Sequence, residues 1–189
     1  VKYRDLNDDG VIDDYDKTVI GRGDVPRIYY GFGADLQVGN FSISALFQGN
    51  AQADRYLDGI SIKPFWDDEG RDNVFANITD RWRADNPTNQ DVFYPRLSVG
   101  SDGNNNNVKP SSWWVKDVSF LRLKQVNISY TLPKKWTDPL LIKNAQIYLM
   151  GTNLLTFSKF KLWDPELNTS NGTAYPNVSS YSIGLKFNF

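Results

Sequence analysis

Residues 28–38 read IYYGFGADLQV, and their side chains sort by parity. The even positions carry Ile28, Tyr30, Phe32, Ala34, Leu36 and Val38, and the odd ones Tyr29, Gly31, Gly33, Asp35 and Gln37. A period of two held this long puts one apolar face on an extended strand and rules out a helix, which repeats every 3.6 residues. After Gly39 and Asn40 the pattern resumes, with Phe41, Ile43, Ala45 and Phe47 against Ser42, Ser44, Leu46 and Gln48. That predicts a hairpin with a two-residue turn. The last segment, YSIGLKFNF, alternates more strictly still. In VNISYTL one face carries Val126, Ile128, Tyr130 and Leu132, while Leu121 and Leu123 upstream stand in the opposite phase. The change of phase predicts a bulge near Lys124 and Gln125. AQIYLMGTNLLTF gathers Ala145, Ile147, Leu149, Leu155 and Phe157, interrupted by Gly151 and Asn153. The chain therefore reads as all-β, with five long antiparallel strands.

A soluble β-sandwich would also alternate. Here the second face holds Gly, Ser, Asn and Gln rather than Lys and Glu. The strands run well beyond the roughly 5–6 residues usual in soluble sheets. Aromatic residues cluster at strand ends: Tyr29 and Tyr30, Trp136, Phe157 and Phe160, Tyr181, Phe187 and Phe189. Eleven residues at ~3.4 Å each, tilted about 40°, rise roughly 28 Å, enough for the apolar band of a transmembrane β-barrel. The expected lipid-facing set is Ile28, Phe32, Leu36, Val38, Ile43, Phe47, Ile128, Ile183, Leu185 and Phe187.

Composition removes several function classes. With 21 basic and 22 acidic residues the net charge is −1, and no polybasic patch offers a footprint for nucleic acid. Cysteine and histidine are both absent, which excludes disulfides, thiolate and imidazole zinc sites, and Ser-His-Asp hydrolysis. Asp67, Asp68 and Glu69 are adjacent carboxylates with no convergent partner, so the chain is not read as an enzyme. The first residues, VKYRDLNDDG, are no signal peptide and lack an initiator Met, as expected for a piece of a longer chain.

Connections alternate in length: residues 39–40, then 51–117, then about 133–144, then 159–178. Outer-membrane barrels have short periplasmic turns and long extracellular loops, so 51–117 and 159–178 are expected outside, and residues 1–24 with them. Residues 25–189 would then be barrel strands and their loops. Five strands cannot close such a barrel, which needs about eight or more.

The order of motifs resembles a known family. DLNDDGVIDDYDKTVIG precedes a Tyr-Gly-Phe strand and FSISALFQGNA. RWRADNPTN, YPRLS, SSWWVKDVSFLRLKQVNISYTLP and IYLMGTNLLTFSKFKLWDPE follow, and the last strand ends in Phe189. Across essentially the whole chain this is similar to the C-terminal part of SusC/RagA-like TonB-dependent outer-membrane transporters. The resemblance implies a plugged barrel of roughly 22 strands in a Gram-negative outer membrane. It implies import of an oligosaccharide, glycan or peptide under a SusD-like surface lipoprotein, with energy from TonB through an N-terminal part not present here. The rival reading is a secreted, calcium-stabilised β-sandwich for adhesion or carbohydrate binding.

One segment carries metal chemistry in its spacing. DLNDDGVIDDYD matches D-x-[DN]-x-[DN]-G, with Asp5, Asn7 and Asp9 at positions 1, 3 and 5 and Gly10 at 6. The Val11 carbonyl, Asp13 and Asp16 complete the expected ligand set for one structural calcium ion. Asp16 stands where an EF-hand has Glu, and its shorter arm resembles dockerin-type loops. Substrate or lid contacts are expected from Trp66, Trp82, Trp113, Trp114 and Trp163, and a short amphipathic helix around Phe75, Ile78 and Trp82.

Overall fold

The computed structural model describes residues 1–59, 62–65, 74–99 and 106–189. The chain forms two compact units. One comprises Val1–Asp24, Asp54–Lys116 and Thr169–Thr173, and the other Val25–Ala53, Asp117–Asn168 and Ala174–Phe189.

The second unit is an antiparallel sheet of five long strands. β1 (Ile28–Val38) pairs with β2 (Phe41–Ala51) in the register Val38 to Phe41 through Ile28 to Ala51, joined by Gly39 and Asn40. Gly39 takes φ +58° at the first turn position, where a two-residue hairpin favours glycine. A two-stranded excursion follows, β3 (Asp54–Tyr56) on β4 (Val115–Asp117). The large sheet then resumes with β5 (Phe120–Thr131), β6 (Asn144–Ser158) and β7 (Ser180–Asn188), giving the order β1-β2-β5-β6-β7.

The change of phase in β5 has the expected cause. Leu46 pairs with Gln125 and Phe47 with Leu123, so Lys124 is an extra residue against β2. Against β6 the imbalance reverses: Asn153 and Leu154 lie between the pairs Gln125–Thr152 and Leu123–Leu155, and Asn153 takes φ +52°. These bulges return Leu121 and Leu123 to the face that Val126, Ile128 and Tyr130 occupy.

Register makes that face continuous. One row across all five strands is Leu36, Ile43, Ile128, Leu149 and Ile183; the next is Val38, Phe41, Tyr130, Ile147 and Leu185. The face is open: Leu36 is 61% exposed and Ile183 78%. The opposite face runs Asp35, Ser44, Asn127, Met150 and Ser182, then Gln37, Ser42, Ser129, Tyr148 and Gly184. The other sheet among the described residues has two strands of three residues. Among these residues no helix is long and apolar enough to cross a membrane, which says nothing of strands.

Both short connections lie at one end, since the Thr131 N–H donates to the Asn40 carbonyl at 2.9 Å. The second holds a helical turn, Lys134–Thr137, with Trp136 exposed beside Lys135. The amphipathic helix expected around Phe75 reduces to one 3-10 turn, Ala76–Thr79. Asn77, Thr79 and Asp80 are weak helix formers. Beyond them the backbone pairs across the loop instead: Tyr94 N–H donates to the Asp80 carbonyl at 3.0 Å and Trp82 N–H to the Tyr94 carbonyl at 2.9 Å.

Candidate functional site

The acidic loop is closed by its own backbone. Asp5 accepts from the Asp8 N–H through Oδ1 and from the Gly10 N–H through Oδ2, both at 2.7 Å. Gly10, at φ +83°, makes the turn that returns its N–H to Asp5. Asp9 Oδ1 accepts from the Val11 N–H at 2.8 Å, and Asp13 caps the 3-10 turn Asp14–Asp16. Asp16 ties the two ends together, accepting from Leu6 N–H at 2.6 Å and Asp13 N–H at 2.8 Å. Those donors, Leu6 foremost, hold its carboxyl below the usual range. The oxygen-rich donor set suits a hard cation. The carboxylates are turned toward backbone donors, and among the described residues no three acidic groups are gathered as a metal cluster.

Downstream, Asp54 fixes the chain that leaves this loop. It accepts from the Arg22 backbone N–H at 2.7 Å and from the Arg22 guanidinium, inside the same unit. Gly21, at φ +76°, lies against Asp54 and Val115, where a side chain would crowd both.

The tryptophans separate by burial. Trp114 is 1% exposed, in the core of the first unit with Leu57, Ile62 and Tyr94, and donates its indole N–H to the Asn107 carbonyl. At that burial it packs the unit and offers no surface to a ligand. Burial, together with the Asp80 charge, pushes the neighbouring Tyr94 hydroxyl up to about 12. Trp66 lies outside the described residues, as do Asp67, Asp68 and Glu69. Trp163 stands edge-on to Phe160, with ring centroids 5.0 Å apart.

Trp82 and Trp113 come together, although 31 positions part them in sequence. Both line a cleft of 680 Å³ in the first unit, with Lys2, Gln90, Arg96 and Asn107. The Trp82 indole N–H donates to the Pro87 carbonyl at 3.2 Å, and that of Trp113 to the Phe93 carbonyl at 2.9 Å. Lys116 lies 5.9 Å from the Trp113 ring centre and 4.9 Å from that of Phe93, and burial lowers its pKa. The sequence reading missed Lys2, Gln90 and Arg96, because isolated polar residues in a long loop carry no periodic signal.

It also missed Arg122. This side chain, 1% exposed on the polar face of β5, binds Asp164 through one guanidinium nitrogen and Glu166 through another, the latter at 3.0 Å. Asn177 donates to the same Glu166 oxygen at 2.8 Å. The cluster holds the loop after β6 to the strand wall.

No family model matches the chain. Among curated proteins it is 34% identical over 200 residues to the TonB-dependent receptor P26 of Formosa agariphila, an alignment covering 100% of this chain and 19% of that protein. The TonB-dependent receptor P3 of the same species is 28% identical over 200 residues, covering 99% of this chain and 19% of that one. Among solved structures, the RagAB peptide importer in its closed-closed state superposes with TM-score 0.70 at 25% identity, covering 95% of this chain and 20% of the other. The RagAB peptide transporter gives TM-score 0.69 at 25% identity, over 94% and 19%. The chain thus spans about a fifth of the length of these relatives. By this similarity along its whole length the chain belongs to the TonB-dependent receptors, a family of outer-membrane proteins.

Proposed function

We propose that the whole protein imports a nutrient across the outer membrane, and that this chain supplies part of the barrel wall with its outward loops. The observation that carries the reading is the unbroken, exposed apolar face of the five-stranded sheet. A contiguous apolar surface of this extent marks an interface, and lipid is the partner suited to a strand array that is polar on its other side. The full barrel would have roughly 22 strands, and residues 51–117 and 159–178 would face outward.

The cargo is an oligosaccharide, glycan or peptide, taken in under a SusD-like surface lipoprotein and driven through TonB. The relatives named RagAB importers support a two-component assembly. Trp82 and Trp113 serve cargo or lid, and residues 5–16 bind one structural calcium ion through Asp5, Asn7, Asp9, the Val11 carbonyl, Asp13 and Asp16. Nothing in the donor set opposes calcium, whose ligands are carboxylate and carbonyl oxygens.

The test uses the full-length protein. It should fractionate with the outer membrane, require detergent, migrate faster on a gel when unheated, and support TonB-dependent uptake. Recovery as a soluble protein without detergent would overturn the reading.

A further inference from the structure

We infer that the cleft between Trp82 and Trp113 is a binding site for a carboxylate-bearing, uronate-type oligosaccharide. This rests on the import reading and narrows its cargo.

The cleft volume, 680 Å³, lies inside the roughly 300–1,000 Å³ of small-ligand pockets. Both indole N–H groups are already bound to backbone carbonyls, of Pro87 and Phe93. The rings are therefore held in place and present carbon surface rather than a donor. Such surfaces match the C–H faces of a pyranose ring, as aromatic walls with a few polar groups do in small-molecule sites generally.

Charge selects among sugars. Lys2 and Arg96 line the cleft, and neither side chain has a partner among the described residues. No acidic residue is among the described residues that line it. In the same unit Arg22 is neutralised by Asp54, Lys63 by Asp58 and Arg83 by Asp85, and no such carboxylate borders the cleft among the described residues. Two unpaired cations beside two fixed aromatic rings attract an anion that carries a flat carbon face. A guanidinium takes a carboxylate through two parallel N–H bonds, a geometry that a neutral hydroxyl pair matches less well.

The experiment uses the full-length transporter with its lid lipoprotein, in detergent, titrated calorimetrically with tetragalacturonate, maltotetraose and tetraglutamate. Tetragalacturonate should bind and the other two should not displace it. Arg96→Gln and Lys2→Gln should each weaken that binding about tenfold, and Arg96→Lys by less, with the heat-modifiable gel shift unchanged. Unchanged tetragalacturonate affinity in the Arg96→Gln, Lys2→Gln double variant overturns the assignment. So does tetraglutamate binding as tightly, which would make the site one for acidic peptide. Failure of the import reading is distinct: the protein would then be absent from the outer membrane or transport no cargo at all.

Discussion

The Tyr30 hydroxyl on β1 donates to the Phe120 carbonyl on β5 at 2.9 Å, although β2 lies between the two strands. The bond is possible because Gly49, directly opposite Tyr30 on β2, has no side chain. The phenol lies over that glycine, and a Cβ placed there would sit 2.7 Å from the ring and strike the Phe120 carbonyl. Tyr148 covers Gly184 in the same way on the other face. Aromatic cover of strand glycine pins register between neighbours.

Tyr30→Phe should therefore cost about 0.5–1.5 kcal/mol, the net value of one hydrogen bond. Gly49→Ala should cost about 1–3 kcal/mol through overpacking, because a backbone carbonyl cannot move aside as a side chain can. Urea unfolding from lipid vesicles would measure both. A Gly49→Ala barrel as stable as the parent would remove the account of that contact.

Arginine at Phe32, near the middle of β1 on the exposed apolar face, should cost ~2–4 kcal/mol at the bilayer midplane. Arginine at Ser44, between Asp35 and Asn127 on the polar face, should be tolerated. Refolding into vesicles compares them directly. Equal cost on both faces would rule out lipid as the partner of the apolar side.

Arg122→Met should leave Asp164 and Glu166 without their buried cation, at a cost of about 3–5 kcal/mol, because broken buried pairs strand a charge. The loop after β6 should then be cut faster at Lys159 and Lys161 in limited proteolysis. Replacing all three charged residues by apolar ones should recover much of the loss, since the stranded charge is its source.

The acidic loop should take one calcium ion at about 10⁻⁴–10⁻³ M, with magnesium competing poorly because it yields its waters reluctantly. Asp9→Ala should abolish this binding and loosen residues 1–24 while leaving the strands folded. Native mass spectrometry in millimolar calcium, with and without chelator, would decide it. A protein that stays metal-free in millimolar calcium would leave residues 5–16 as a turn held by its own Asx bonds.

Deleting residues 66–82 should abolish uptake while leaving barrel assembly intact. Growth on the cargo measures the first and heat-modifiable gel mobility the second. Uptake at the parent rate would exclude this segment from cargo or lid contact.

Much of this was written in the sequence. Strand period, the two-residue turn at Gly39 and the bulge at Lys124 are local properties: each follows from side-chain parity or from one residue's φ/ψ freedom. Parity over eleven residues leaves a single way to segregate apolar from polar. The apolar face was therefore legible before any partner strand was placed.

Tertiary structure decided what joins distant loops. Nothing local told Trp114, buried with Tyr94, apart from Trp113, which borders the cleft, since the two are adjacent and chemically identical. The helix expected at Phe75 gave way to backbone pairing between Asp80 and Tyr94, a partner that propensity does not see. Arg122 met Asp164 and Glu166 only because β5 and β6 stand side by side. Lys2, Arg96 and Trp113 met because a long loop folded back on the first residues of the chain. Loop closure draws on many weak long-range contacts with no common period, so its outcome is fixed by the packed whole and not by any segment.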